Sequence, residues 1–147
     1  MKAFTRIMVA TDFTPASKPA FRRALELARG NGAELIVTHA YAPPNLAQAE
    51  AVAPGVYEEW ETKVRTDTER QLEGLVEDAR QAGTNARAVA VSGEPEEAIT
   101  DAARNHGADL LVMGTRGRKG VARFFLGSVA SRVISTAPCP VMTVRAD

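Results

Sequence analysis

Gly114, Gly117 and Gly127 lead into Ser128 with the spacing G-x2-G-x9-G-S, a pattern of small residues that ends on a hydroxyl. Glycine lets backbone N–H groups approach a phosphate with no Cβ in the way, and a helix starting at Ser128 adds its positive dipole end. Between Thr115 and Leu126 the same segment carries Arg116, Arg118, Lys119 and Arg123 and no carboxylate, although the whole chain balances 18 basic against 18 acidic residues. Such cations attract a polyanion at long range and form charge-assisted hydrogen bonds worth roughly 1.5 to 3 kcal/mol each. A phosphorylated ligand therefore suits the segment better than a neutral one. Two familiar phosphate motifs are absent. A Walker A loop needs G-x-x-x-x-G-K-[ST], whereas Lys119 here precedes Gly120 and Val121 follows it. A dinucleotide fingerprint needs G-x-G-x-x-G after a strand, whereas Gly30-Asn31-Gly32 lies between an expected helix and an expected strand.

The other residues able to do chemistry have plain structural alternatives. Asp12 is placed to meet a ribose or a phosphate-bound cation, and equally to cap the first helix together with Thr14. His39, at a strand end, and His106, in a last helical turn where a cation suits the dipole, read as packing or capping residues without a Ser or Cys partner. Cys139 stands between two prolines at the entry to an apolar strand and reads as a structural thiol. Glu94, Glu96 and Glu97 suit the start of a helix, and Trp60 reads as core or helix-packing surface. The glycines themselves also serve as turn residues, and Arg118 and Arg123 as solvated surface.

Five short apolar runs must position these groups: Ile7 to Thr11, Glu34 to Tyr41, Ala86 to Val91, Asp109 to Met113 and Val141 to Val144. They are continuous more than alternating, the mark of strands covered on both faces. Four segments of helical period lie between them. The first starts near Thr14-Pro15 or Ser17, carries Phe21, Ala24, Leu25 and Ala28 on one face, and stops at Gly30 or Gly32. The second runs from about Val56 to Ala82, with Val56, Trp60, Val64, Leu72, Leu75, Val76 and Ala79 on one face. The third opens at Pro95 and stops at Gly107, and the fourth runs from Ser128 to before Pro138. Right-handed crossovers turn this βαβαβαβαβ order into a doubly wound α/β sheet with two helices on each face. Ligands of such sheets sit at the carboxyl ends of the strands, where the strand order reverses. If the first and fourth strands are neighbours there, Asp12 and the glycine-rich segment face one cleft.

Composition limits the alternatives. With 147 residues, 45% of them hydrophobic, the chain is expected to be a single compact domain over residues 1–147. No apolar run approaches the roughly 20 residues that span a bilayer, and the start is too short for a secretory signal, so a cytoplasmic location is expected. One cysteine and two separated histidines provide neither a disulfide nor a zinc site. Zero net charge and 5% aromatic residues argue against nucleic-acid binding.

The opening A-T-D-F-T, then T-H-A-Y, V-S-G-E-P, D-L-L-V-M-G, the glycine pattern and the closing P-C-P-V-M-T-V resemble, in order and over nearly the whole chain, the universal stress protein family and specifically its ATP-binding branch. The resemblance implies an adenine-nucleotide alpha hydrolase-like sheet of order 3-2-1-4-5. It implies a triphosphate among Gly114, Gly117, Gly127 and Ser128 with Arg116 over it, adenine near Met113 and the backbone of Ala40, and a pocket floor of Ala10, Thr11 and Asp12. Asp12 would stand near ribose or a bound Mg²⁺, and Val129 and Ala130 would continue the contact strip. Ala10 stands where the family often has proline, and Ala130 where it often has a hydroxyl residue, which removes one phosphate contact. The family also implies a homodimer through Val141 to Val144. Phe124-Phe125-Leu126 needs burial, beneath the loop or against a second subunit.

Three functions fit this reading: an ATP-dependent regulatory module of the stress response acting on a protein partner the sequence does not identify, a slow ATPase or nucleotide-dependent transferase, and a nucleotide-independent scaffold or chaperone-like dimer. The intact glycine pattern disfavours the third, and the lack of any general base besides Asp12 disfavours fast catalysis. GTP is compatible with contacts made by backbone and an apolar Met113.

Overall fold

The computed structural model describes residues 3–43, 45–115 and 127–146. Its strands are β1 (Arg6–Ala10), β2 (Glu34–Tyr41), β3 (Ala86–Ser92), β4 (Leu110–Gly114) and β5 (Val141–Val144). Its α-helices are α1 (Lys18–Asn31), α2 (Leu46–Glu50), α3 (Val56–Gln81), α4 (Pro95–Asn105) and α5 (Ser128–Thr136), with a 3-10 turn at Pro15–Ser17. The strands form one sheet in the order β3-β2-β1-β4-β5, and every pairing is parallel. The expected α/β class and strand order 3-2-1-4-5 are those observed.

Both faces of the sheet are covered, which is why its central strands carry continuous apolar runs. Ile7, Val9, Leu35, Val37, Leu110 and Val112 meet Ala20, Ala24 and Ala28 of α1 and Leu72, Val76 and Ala79 of α3. Met8, Ile36, Leu111 and Met113 meet Ile99, Ala102 and Ala103 of α4 and Ala130 and Val133 of α5. Alanine at every fourth position brings α1 close to the sheet, while Phe21 and Leu25 pack at its flank. The helix then ends on Gly32, whose φ of 63° is left-handed and costs glycine little.

Two features depart from the sequence reading. Asn45 opens the short α2, its side chain accepting from the Gln48 amide at 2.8 Å while the Gln48 side chain accepts from the Asn45 amide at 2.9 Å. This capping box nucleates a turn where only a connection was expected. The second departure is Trp60 and Val64, which are 42% and 37% exposed instead of packed. Twenty-six residues make α3 about 39 Å long, whereas the seven-residue β3 spans about 23 Å. The helix meets the core with Thr68, Leu72, Val76 and Ala79, and its amino-terminal half overhangs.

Strand β1 has β2 on one side and β4 on the other, so the order reverses between β1 and β4. Asp12 and Thr115, each just beyond a strand, therefore leave the sheet side by side at its carboxyl edge.

Candidate functional site

A cavity of about 760 Å³ opens at this edge, within the range of small-molecule sites. Ala10, Thr11 and Asp12 follow from β1, Ala40 from β2, Met113 and Gly114 from β4, and Gly127, Ser128, Val129 and Ala130 from the start of α5, and all ten line it. The structure thus brings together ten of the twelve residues singled out in the sequence. The other two, Arg116 and Gly117, lie outside the described residues, as do Arg118, Lys119, Arg123 and Phe124-Phe125-Leu126.

The turn after β1 is held by its own polar groups. Asp12 Oδ1 accepts from the Thr14 amide at 3.0 Å and from the Thr14 hydroxyl at 2.5 Å, the local capping arrangement the sequence suggested. Asp12 Oδ2 has no hydrogen-bond partner among the described residues. The Ser17 hydroxyl donates to the Thr14 carbonyl at 2.7 Å, so in its 3.0 Å contact with Thr11 it must accept the Thr11 hydroxyl proton. Thr11 Oγ1 in turn accepts from the Phe13 amide, and the Thr11 amide donates to the Thr38 carbonyl. With its carbonyl facing His39 Nδ1 at 2.7 Å, Thr11 has all its polar groups engaged within the fold. It shapes the floor by contact and by geometry.

The opposite end of the cavity is a helix start. Gly127, buried, precedes α5 in an extended conformation, and among the described residues no side chain caps α5. The Gly127 amide is spent on the Thr115 carbonyl at 2.8 Å, and the Thr115 amide on the Val144 carbonyl at 3.2 Å. The amides of Ser128, Val129 and Ala130 follow in the first turn, where N–H groups lack carbonyl partners inside the helix and the dipole favours an anion. Replacing a hydroxyl residue by Ala130 leaves that amide in place, and its side chain is buried against the sheet.

One wall was not foreseen. Val64, Asp67, Thr68 and Gln71 of α3 and Pro95 and Ile99 of α4 also line the cavity. Their 3- and 4-residue spacings put the α3 residues on one helical face, a signal present in the sequence, but only the overhang of α3 turns that face toward the strand ends. Among the described residues the carboxylates on the lining are Asp12 and Asp67, and no Lys or Arg joins them. Burial raises the Tyr41 phenol above 10.0, with Arg65 opposing and Glu61 and Glu69 adding, so the cavity keeps it as a neutral donor.

His39 donates to a backbone carbonyl, and among the described residues no cluster of three His, Cys, Asp or Glu side chains forms a metal site. Burial raises the Cys139 thiol, with Asp109 adding to the rise, which makes it a poor nucleophile at neutral pH.

Residues 3–145 match the family model of the universal stress protein family. The chain is 37% identical over 143 residues to the universal stress protein in the QAH/OAS sulfhydrylase 3′ region of Thermus aquaticus, covering 97% of this chain and 99% of that one. Among solved structures it superimposes on the protein MJ0577 with a TM-score of 0.85 at 23% identity, covering 99% of both chains. A universal stress protein in complex with cAMP matches with a TM-score of 0.71 at 26% identity, covering 99% of this chain and all of the other. No helix among the described residues is long and apolar enough to cross a membrane. The motifs, the fold and the relatives agree: the chain belongs to the universal stress protein family.

Proposed function

We propose that residues 1–147 form one nucleotide-binding unit whose carboxyl-edge cavity holds ATP, and that nucleotide occupancy makes the protein a regulatory module of the cytoplasmic stress response. The observation that carries this reading is the uncapped start of α5 facing Asp12 across a single cavity. The polyphosphate rests on the Ser128, Val129 and Ala130 amides, beside Gly114 and Gly127, with Gly117 and Arg116 supplied by the intervening segment. The base lies between Ala40 and Met113, over the floor of Ala10 and Thr11. A related universal stress protein binds cAMP, which supports an adenine nucleotide as the ligand class.

A bare triphosphate beside Asp12 and Asp67 would be repelled, so the ligand carries a cation. Asp12 fits that role: one carboxylate oxygen is fixed by Thr14 and the other is available. Mg²⁺ is commonly held through one or two carboxylates with phosphates and waters completing its shell. Ligand binding to the native state raises stability by about 2.7 kcal/mol at a hundredfold excess over Kd, a shift of several degrees for a domain of this size. Thermal melts with Mg²⁺ and ATP, GTP or cAMP test the reading. A rise with ATP that is lost in Gly127→Val supports it, and no rise with any nucleotide, in protein free of copurified ligand, overturns it.

The same reading includes a homodimer through β5. The Pro140 and Val144 carbonyls accept from the amides of Leu111 in β4 and Thr115 just after it, so by strand alternation the backbone groups of Val141 and Thr143 face away from β4. An outward-facing edge of this kind pairs readily with a second copy. Thr143→Pro removes an outward donor while leaving the β4 ladder intact. Light scattering should show a dimer in the parent and monomer in the variant, and a parent that is monomeric at all concentrations contradicts the assembly.

A further inference from the structure

We propose that His39 is a positioning residue that fixes the β1-to-α1 turn, and through it the direction of Asp12, without itself touching the ligand phosphates. The inference rests on the nucleotide reading of the cavity.

One imidazole touches the chain on both sides of Asp12. On the amino side, His39 Nδ1 lies 2.7 Å from the Thr11 carbonyl oxygen. A carbonyl can only accept, so Nδ1 carries a proton, and this bond anchors the peptide group that joins Thr11 to Asp12. On the carboxyl side, the ring packs on Phe13, with centroids 4.7 Å apart and planes tilted by 48°. Phe13 is the one non-glycine residue among those described with a positive φ, at 64°. A bulky side chain in the left-handed region is disfavoured and persists where surrounding contacts determine it.

Phe13 packs against the core, and a run of hydrogen bonds holds the turn around it. The Phe13 amide donates to Thr11 Oγ1, the Thr11 hydroxyl to Ser17, and the Ser17 hydroxyl to the Thr14 carbonyl. This chain fixes the loop along its own length, whereas the imidazole ties it to β2, in the body of the sheet. His39 is adjacent to Ala90 of β3 in register and is therefore carried by a strand paired on both sides. Without it, the turn that aims Asp12 is held to the rest of the fold by the Thr11 amide at its start and by α1 at its end. The strained Phe13 then keeps its packing on the core but loses the imidazole on its other side.

The test compares His39→Leu, which removes the donor, with His39→Asn, whose side-chain amide can place an N–H near the position of Nδ1. Isothermal titration with Mg²⁺ and ATP, well below the melting temperature, should show His39→Leu weakened about tenfold and His39→Asn largely restored, the scale of one hydrogen bond. In an Asp12→Asn background the His39→Leu effect should shrink, because both changes act on one group. An undiminished effect in that background, or parent-like binding by folded His39→Leu, overturns the proposal. Nuclear magnetic resonance of the ligand-free protein separates this inference from the nucleotide reading. A ring carrying a proton at Nδ1, and faster amide exchange at Phe13 and Thr14 in His39→Leu, are expected whether or not ATP binds. A ring protonated at Nε2 alone, or unchanged exchange, refutes the positioning role directly.

Discussion

At the amino edge of the sheet, charged side chains are tied to the ends of other strands, whereas at the carboxyl edge they are tied to their own turns or left facing a cavity. Asp109, just before β4, accepts from the Thr5 amide and hydroxyl and from the Arg6 amide at the start of β1. Arg87 of β3 donates to Glu34 of β2 at 3.1 Å and lies 3.0 Å from Nδ1 of His106 at the end of α4. Asp12, by contrast, bonds within its own turn, and α5 starts without a side-chain cap. One edge uses its polar groups to close the fold. The other, among the described residues, leaves first-turn donors of α5 and a carboxylate oxygen of Asp12 without a partner, at the place where strand order reverses.

The largest effect expected at the closed edge is that of Asp109→Ala. Burial by itself would raise this carboxyl, but the Thr5 and Arg6 amides and the Thr5 hydroxyl outweigh it and bring it below 3.8. Three donors lose their acceptor at once, and with water able to compensate at this partly exposed site the loss should be about 2 kcal/mol. Chemical denaturation should show the lowered midpoint, while affinity for Mg²⁺ and ATP stays at the parent value. An equal loss of affinity would mean that the two edges are not independent.

Thr84, between α3 and β3, sharpens the comparison from the other direction. Its hydroxyl is buried and has no partner among the described residues, in contrast to Asp109 and Arg87 at the same edge. Thr84→Val keeps the branched shape and removes the orphaned group, so it should raise stability by about 1 kcal/mol in the same denaturation experiment. No gain would indicate that a water reaches the hydroxyl.

The two edges also differ in how far the sequence revealed them. The strands were legible because their apolar runs are bounded by glycine and proline, and β2 and β5 begin and end where those runs do. Chain order placed Asp12 and the segment from Gly114 to Ser128 at the carboxyl edge, whereas Ala10, Thr11, Ala40, Met113, Val129 and Ala130 came from the family resemblance, and all six line the same cavity. The overhang of α3 was not legible. Trp60 and Val64 continue the spacing of Thr68, Leu72 and Val76, and periodicity tells which face is apolar without telling where the sheet stops. The His39 bond was hidden for another reason: its partner is a backbone carbonyl 28 residues away, and no side-chain type marks that. The cluster of Glu34, Arg87 and His106 likewise joins three distant segments through side chains that each look like ordinary surface charge.

That cluster keeps His106 in the packing and capping role the sequence suggested, at the C-cap of α4, but not as a cation. A protonated imidazole would suit the end of α4, yet burial first, and Arg87 second, lower its pKa below 6.5, with Glu34 pulling the other way. Nδ1 faces a guanidinium donor and so must accept, which only the neutral ring can do. The charged groups around it are Arg87 and Glu34, and Arg104 lies in the same last turn of α4. Because the folded protein takes up the proton less readily than the unfolded chain, the contribution is complete above 6.5. It is lost as pH falls from there toward the folded value. His106→Gln, which can still accept from Arg87 but does not titrate, should flatten the stability of the parent between about pH 7 and 5, the effect being the smallest of the three because the site is only partly buried. A parent slope that survives the substitution would place the acid sensitivity on another group. At the carboxyl edge the same substitution should leave nucleotide affinity unchanged at pH 7, since His106 sits at the far end of α4 from Pro95 and Ile99, which line the cavity.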